Sequence, residues 1–148
     1  MKKIFPELNH RNFKGNPIAY WSLLPIFIFT IIRSLLHIFL KDGGSQSIAT
    51  IPINTFSVEA QNVVIQLFGL WGLSQLIAII VEIVIFIYHN DFIPFIYIML
   101  ITEYAGRLVL GKAKPIILIG TAPGAIGNYV LIPIFIILLI LSLKKRKE

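Results

Sequence analysis

The 148-residue chain has no cysteine, and its acidic residues number only seven. The missing cysteine excludes disulfides, thiolate-bound metals and thiol redox chemistry, and it removes cysteine usage as a guide to compartment. Charge of either sign is scarce. Asp, Glu, Lys and Arg make up 14% of the residues, against about 25% in an ordinary soluble domain. The motifs of familiar chemistry are absent too. "GTAPGAIG" (120–127) has neither the lysine nor the hydroxyl residue of a phosphate-binding P-loop, and its glycine spacing is not the dinucleotide fingerprint. His10, His37 and His89 are expected on two different sides of a membrane, which excludes a bis-histidine haem or a zinc triad within one chain. No Ser-His-acid set is evident, and Glu82 and Glu103 are expected at different depths, so they do not read as a carboxylate pair. Catalysis has no positive signal, and no cofactor or metal is implied.

What the chain does have is apolar length. Hydrophobic residues make up 57% of it, and they gather into four runs at 17–40, 63–88, 93–110 and 125–143. A spanning helix needs about 20 residues, and backbone inside a bilayer must satisfy its own hydrogen bonds. The pattern predicts an all-α membrane protein, a four-transmembrane-helix bundle in a single domain over 1–148, with helices near 17–40, 59–88, 92–110 and 125–143. The first run is too long for a signal-peptide core, and "LKDGGSQS" after it is a poor cleavage site, so it is expected to be retained. Pro17 opens the first helix, Ser57 can cap the second with Glu59 in its first turn, and Asn90 and Asp91 can cap the third ahead of Pro94. Pro25 and Pro133 fall inside runs and predict kinks or local rearrangement.

The net charge of +6 resembles a nucleic-acid signal, but its placement is that of a membrane protein. Lys2, Lys3, Arg11 and Lys14 precede the first run, and Lys144, Lys145, Arg146 and Lys147 follow the last. Lys41, Lys112 and Lys114 would lie on the opposite side. Positive residues favour the inside, so both termini are expected in the cytoplasm and the protein in the cytoplasmic (inner) membrane, with no nucleic-acid partner.

That orientation makes a depth map of the polar residues inside the runs. Arg33 and His37 lie in the outer third of helix one; Glu103 lies just past the middle of helix three and Arg107 nearer its outer end. Gln75 lies near the centre of helix two, with Glu82 deeper. Arg33 and His37 are four residues apart, as are Glu103 and Arg107, so each pair shares a helix face. Gln75 and Glu82, seven apart, share theirs with Gly72; it and Gly69, one turn earlier, could admit a neighbouring backbone. A charge at the bilayer centre costs about 2.5–3.5 kcal/mol even on a mild scale, so these faces are expected to point inward. Arg33, His37, Gln75, Glu103 and Arg107 are the candidate ligand-binding residues. Glu82, Asn128, Lys112 and Lys114 are secondary candidates. Tyr104 adjoins Glu103 a step around the helix. A bland alternative stands beside this: buried ion pairs can only lock a bundle, and Arg33 can snorkel to the interface.

Helices two and four both begin on the expected outer side, where basic residues outnumber acidic ones, so the mouth suits an anion, such as a carboxylate or a lipid phosphate. The layout also resembles small four-helix integral membrane proteins of the DoxX-like type. The resemblance rests on the helix number, the long first outer loop, the glycines of "FGLWGLSQL" and the Gly-Arg of "EYAGRLVLG". It implies a membrane bundle, sometimes beside a partner subunit, and no catalytic residues. The leading reading is an outward-opening polar pocket that binds or moves a small anionic or amphipathic molecule. A non-enzymatic accessory or scaffold subunit of a membrane complex is the second, with homo-oligomers or a membrane partner among its outcomes. An enzyme acting on a lipid is the third.

Overall fold

A computed structural model describes residues 13–144. Lys2, Lys3, His10, Arg11, Lys145, Arg146 and Lys147, used above, lie outside the described residues.

Among the described residues the structure is helical and contains no strand. Helix α1 (Pro17–Trp21) leads into α2 (Leu23–Phe39), followed by α3 (Val58–Tyr88), α4 (Ile93–Ala113) and α5 (Pro123–Leu143). The stretches Pro17–Phe39, Val58–Tyr88, Asn90–Ala113 and Pro123–Leu143 are each long and apolar enough to cross a bilayer. The chain is a multi-pass integral membrane protein built as a four-helix bundle. α3, with 31 residues, is about 46 Å long at 1.5 Å per residue, longer than a ~30 Å hydrocarbon core.

Local chemistry accounts for the helix ends. The Asn16 side chain accepts from the Ile18 N–H at 2.9 Å, and Pro17 takes a position whose N–H would otherwise be unused. The interruption at Ser22 follows from Pro25, whose ring opposes the carbonyl four residues back, at Trp21. The Ser22 hydroxyl donates to the Ile18 carbonyl at 2.6 Å and closes that turn. Ser57 caps α3 by accepting from Ala60 N–H, with Glu59 in the first turn. α5 runs through Pro133 as one helix. The expectation for α4 needs correction. Asn90 and Asp91 do not cap it; they form a short 3₁₀ turn, Asn90–Phe92, and Phe92 precedes the helix without a side-chain cap. Asn90 is buried there because the connector folds back on the end of α3.

α2 packs along α3 and α4 along α5, while α3 and α4 touch more briefly. The core between them includes Leu23, Phe27, Ile79, Ile96, Tyr97 and Phe135. Tyr97 is fully buried, and its hydroxyl donates to the Ala19 carbonyl at 2.5 Å, in the short first helix where a spare acceptor exists. Asn16 N–H donates to the Leu141 carbonyl at 3.1 Å, so the chain enters and leaves the bundle at one end. The segments 40–57 and 114–122 meet at the other end, called here the loop end. There Ile119 N–H donates to the Thr50 carbonyl at 3.0 Å, and the Thr50 hydroxyl donates to the Gly120 carbonyl at 3.0 Å. Thr50 makes both bonds from φ 58°, which a β-branched residue rarely adopts.

Segment 40–57 is held by Asp42. Its carboxylate accepts from Gly44 N–H, Gln46 N–H, Ser47 N–H and the Ser47 hydroxyl at 2.7–3.1 Å. Partial burial opposes ionisation, but the hydrogen bonds from Ser47, Gly44 and Gln46 outweigh it and hold the carboxyl below its ordinary value of 3.8. A lowered pKa contributes stability that is present above pH 3.8 and lost as the pH falls through the folded value. Asp42→Ala is therefore expected to lower the thermal midpoint in detergent at neutral pH, and the gap to the native chain should close on acidification below that value. A gap that is constant across the titration would contradict this account.

Candidate functional site

The loop end of the bundle contains a cavity of ≈ 450 Å³, lined by all four spans and both loop segments. It lies between α2 and α5, which do not pack along one another. Phe29, Ile32 and Leu36 of α2 and Ile116 and Leu118 of the second loop make much of its wall apolar. Polar atoms enter it from Arg33, His37, Tyr104, Arg107 and Asn128.

Glu103 is the hub of the charged side. One oxygen, Oε1, accepts from Arg107 Nη2 and from Gln75 Nε2 (3.2 Å), and it lies 4.0 Å from Arg33 Nη2. The Arg107 bond follows from the four-residue spacing on α4, while Gln75 reaches across from α3 and Arg33 from α2. Arg33 Nη1 donates to the Tyr104 hydroxyl at 3.1 Å. Both guanidiniums lie within cation–π range of the Tyr104 ring, Arg107 at 4.7 Å and Arg33 at 5.8 Å from its centroid. Arg107 also sits 5.2 Å from the Trp71 ring and Arg33 5.7 Å from that of Phe29, within cation–π range.

Hydrogen bonding separates the two arginines. Arg33 Nε and Nη2 are buried and have no acceptor within bonding reach. Arg107 is the arginine that Glu103 pairs with directly. With Glu103 assigned to Arg107, Arg33 is the charge in excess on the cavity wall.

His37 stands apart from this cluster. It is 3% exposed, and its Nδ1 donates to the Gly43 carbonyl at 2.8 Å, which sets the tautomer and leaves Nε2 on the other edge of the ring. The ring lies 4.8 Å from that of Trp71 at 30°, and edge-on to Phe68. Gly72 permits this approach, because a Cβ there would come within 2.7 Å of His37 Cβ and 2.8 Å of the Ser34 carbonyl. Gly69 makes no such contact.

The secondary candidates divide. Asn128 lines the cavity one turn into α5, with Gly124 and Gly127. Lys112 and Lys114 do not line it; Lys112 is in the last turn of α4, where a cation suits the helix end, and both side chains are exposed. The start of α3 is likewise off the cavity, so of the two helix N-termini expected at the mouth only that of α5 borders it. Glu82 is not isolated. It shares a second, smaller cavity with Gln75 and Glu103, so the expected separation of the two acids does not keep them on different surfaces.

Tyr104, Trp71 and Phe68 were not among the sequence candidates. A signal existed for two of them: Trp71 precedes Gln75 by four residues, and Tyr104 precedes Arg107 by three, both same-face spacings on a helix. The loop residues Ile48, Ile51, Ile116 and Leu118 carried none, because loop conformation has no period to read.

No family model, curated protein or solved structure matches this chain.

Proposed function

We infer that the protein binds a small anionic or amphipathic molecule in the larger cavity, with the anionic group at Arg33 and any apolar portion along Phe29, Ile32 and Leu36. The observation that carries this reading is the pair of buried Arg33 donors, Nε and Nη2, on the wall of a mostly apolar cavity with no acceptor of their own. Unmet donors of a buried guanidinium are costly, and an oxyanion meets both at once in the planar geometry that arginine favours. Glu103 holds Arg107, and Arg107 with Tyr104 and Trp71 forms the floor against which the guest rests. His37 Nε2 and Asn128 supply further polar contacts. The gap between α2 and α5 gives such a molecule lateral access from the lipid.

Both termini are placed in the cytoplasm in this reading, by the eight basic residues flanking the ends against Lys41, Lys112 and Lys114. The cavity then opens toward the outer face.

The test is Arg33→Gln. Native protein in detergent should bind decyl phosphate saturably, read by tryptophan emission. The variant should bind it roughly 10- to 100-fold more weakly, as expected for hydrogen bonds to a charged group. Its melting temperature should change little, since Glu103 and Arg107 remain paired. Unchanged binding, or a variant that simply unfolds, would reduce Arg33 to a structural cation.

A further inference from the structure

Beneath the larger cavity is one of ≈ 220 Å³, bordered by Thr30 of α2, by Trp71, Ser74, Gln75 and Glu82 of α3, and by Leu100 and Glu103 of α4. Its polarity is the reverse of its neighbour's. The larger cavity has buried donors without acceptors; the smaller has buried acceptors without donors. Gln75 Oε1 and Glu82 Oε2 have no hydrogen-bond partner, and the two residues are 6% and 5% exposed. They lie two turns apart on one face of α3, and both residues border this cavity.

We propose that this smaller cavity is a separate site for one monovalent cation, a proton or a sodium ion, held by Glu82 with the Gln75 carbonyl oxygen as second ligand. A lone carboxylate in a bilayer is expensive, and an added positive charge or proton supplies what both unmet oxygens lack. The atoms on the wall able to ligate a cation are oxygens, from carboxylate, amide carbonyl and hydroxyl groups, which suits a hard cation. A transition metal or a dedicated divalent site would need more convergent ligands. Among the described residues no three His, Cys, Asp or Glu side chains come together.

The charged surroundings are few. From α4 the cavity is faced by Glu103, which is committed to Arg107 and Gln75 and lies 4.0 Å from Arg33. From α2 it is faced by Thr30, and α5 contributes no residue. Glu82 is thus the acid without a counter-charge. A cation on it leaves the Arg33, Arg107 and Glu103 set with one net positive charge next door. Occupation of the lower site should therefore favour an anion in the upper one. The cation site itself does not depend on the anion reading, because its two ligands, Glu82 and Gln75, do not line the larger cavity.

Trp71 borders both cavities and provides the readout. The chain has two tryptophans, so Trp21→Phe leaves Trp71 as the only one. The full-length Trp21→Phe protein in detergent is titrated with sodium chloride against choline chloride at constant ionic strength, and separately with pH in sodium-free buffer. A saturable change in Trp71 emission is expected in at least one series. A sodium response identifies the ion and a pH response alone identifies the proton. Glu82→Gln should abolish the response, and Gln75→Leu should shift its midpoint roughly tenfold in cation concentration, or one pH unit. No response in either series, or one that survives Glu82→Gln, would overturn the proposal and leave a water-filled cavity. Should Glu82→Gln fail to fold, Gln75→Leu decides, and an unmoved midpoint there counts against the site. Decyl phosphate is a separate arm: loss of its binding with the cation response intact removes the anion reading and leaves this one standing.

Discussion

Glu103→Gln is expected to destabilise the bundle more than any other single substitution in the charged cluster. The carboxylate is the common partner of Arg107 and Gln75 and the nearest anion to Arg33. Removing it leaves two guanidiniums close to each other beside the Tyr104 ring, with their repulsion unrelieved. A lone central charge costs about 2.5–3.5 kcal/mol in a membrane helix. The Glu103 side chain is 39% exposed, so an effect of roughly 2 kcal/mol is the reasonable scale. Arg107→Gln should cost less and Arg33→Gln least, because each removes one cation and leaves the other beside Glu103. The diagnostic is the double variant Glu103→Gln/Arg107→Gln. By deleting a charge of each sign it should melt above Glu103→Gln alone, a coupling that a double-mutant cycle in detergent reads directly. If the double variant melts at or below the single one, Glu103 is not what holds the arginines.

The second large effect is expected at Gly72, and its neighbour Gly69 supplies the control. A Cβ on Gly72 would meet His37 Cβ and the Ser34 carbonyl, both under 3 Å away and both fixed to the α2 backbone. Neither can swing aside, so alanine must push α2 and α3 apart, at about 1–3 kcal/mol for overpacking a tight contact. The same substitution at Gly69 meets only the His37 carbonyl, at 3.9 Å. There alanine should be neutral or stabilising by about 0.5–1 kcal/mol, the usual gain over glycine within a helix. Alanine should thus lower the thermal midpoint at Gly72 and leave it unchanged or raised at Gly69, three residues away. Gly72→Ala should also alter the Trp71 emission, since His37 packs on that ring. Equal effects at the two positions would mean that the helices are not in contact at Gly72.

The parts of this molecule that could be read from sequence are those governed by period or by cost. Four runs near 20 residues became four spans, and the Ser57 cap and the break before Pro25 obeyed local rules of hydrogen bonding and sterics. Charges were expected to turn inward, and Arg33, Gln75, Glu103 and Arg107 do meet. The remainder depended on which helices are neighbours, which no single-helix argument supplies. Depth along the helices separates Glu82 from Glu103, yet Thr30 and Leu100 from other helices close a cavity around both. Tyr104 lies a step around α4 from Glu103, but its hydroxyl is where Arg33 arrives from α2. Asn90 and Asp91 carried cap-forming side chains, and the tight turn between α3 and α4 used their backbone instead. Charge alone points Lys112 and Lys114 to the mouth, but nothing turns their stems inward and both stay exposed.

The tie between Thr50, Ile119 and Gly120 has a mechanical consequence. α2 with α3 and α4 with α5 form two stiff halves, and at the loop end the backbone join between their connecting segments passes through one threonine. That threonine sits in a backbone conformation it would leave if released. At this end the connecting segments are therefore joined at a single residue, while Arg33–Tyr104 and Gln75–Glu103 tie the two halves within the bundle. Letting go of two hydrogen bonds frees the loops to part, while the ridges and grooves that hold each half together stay engaged.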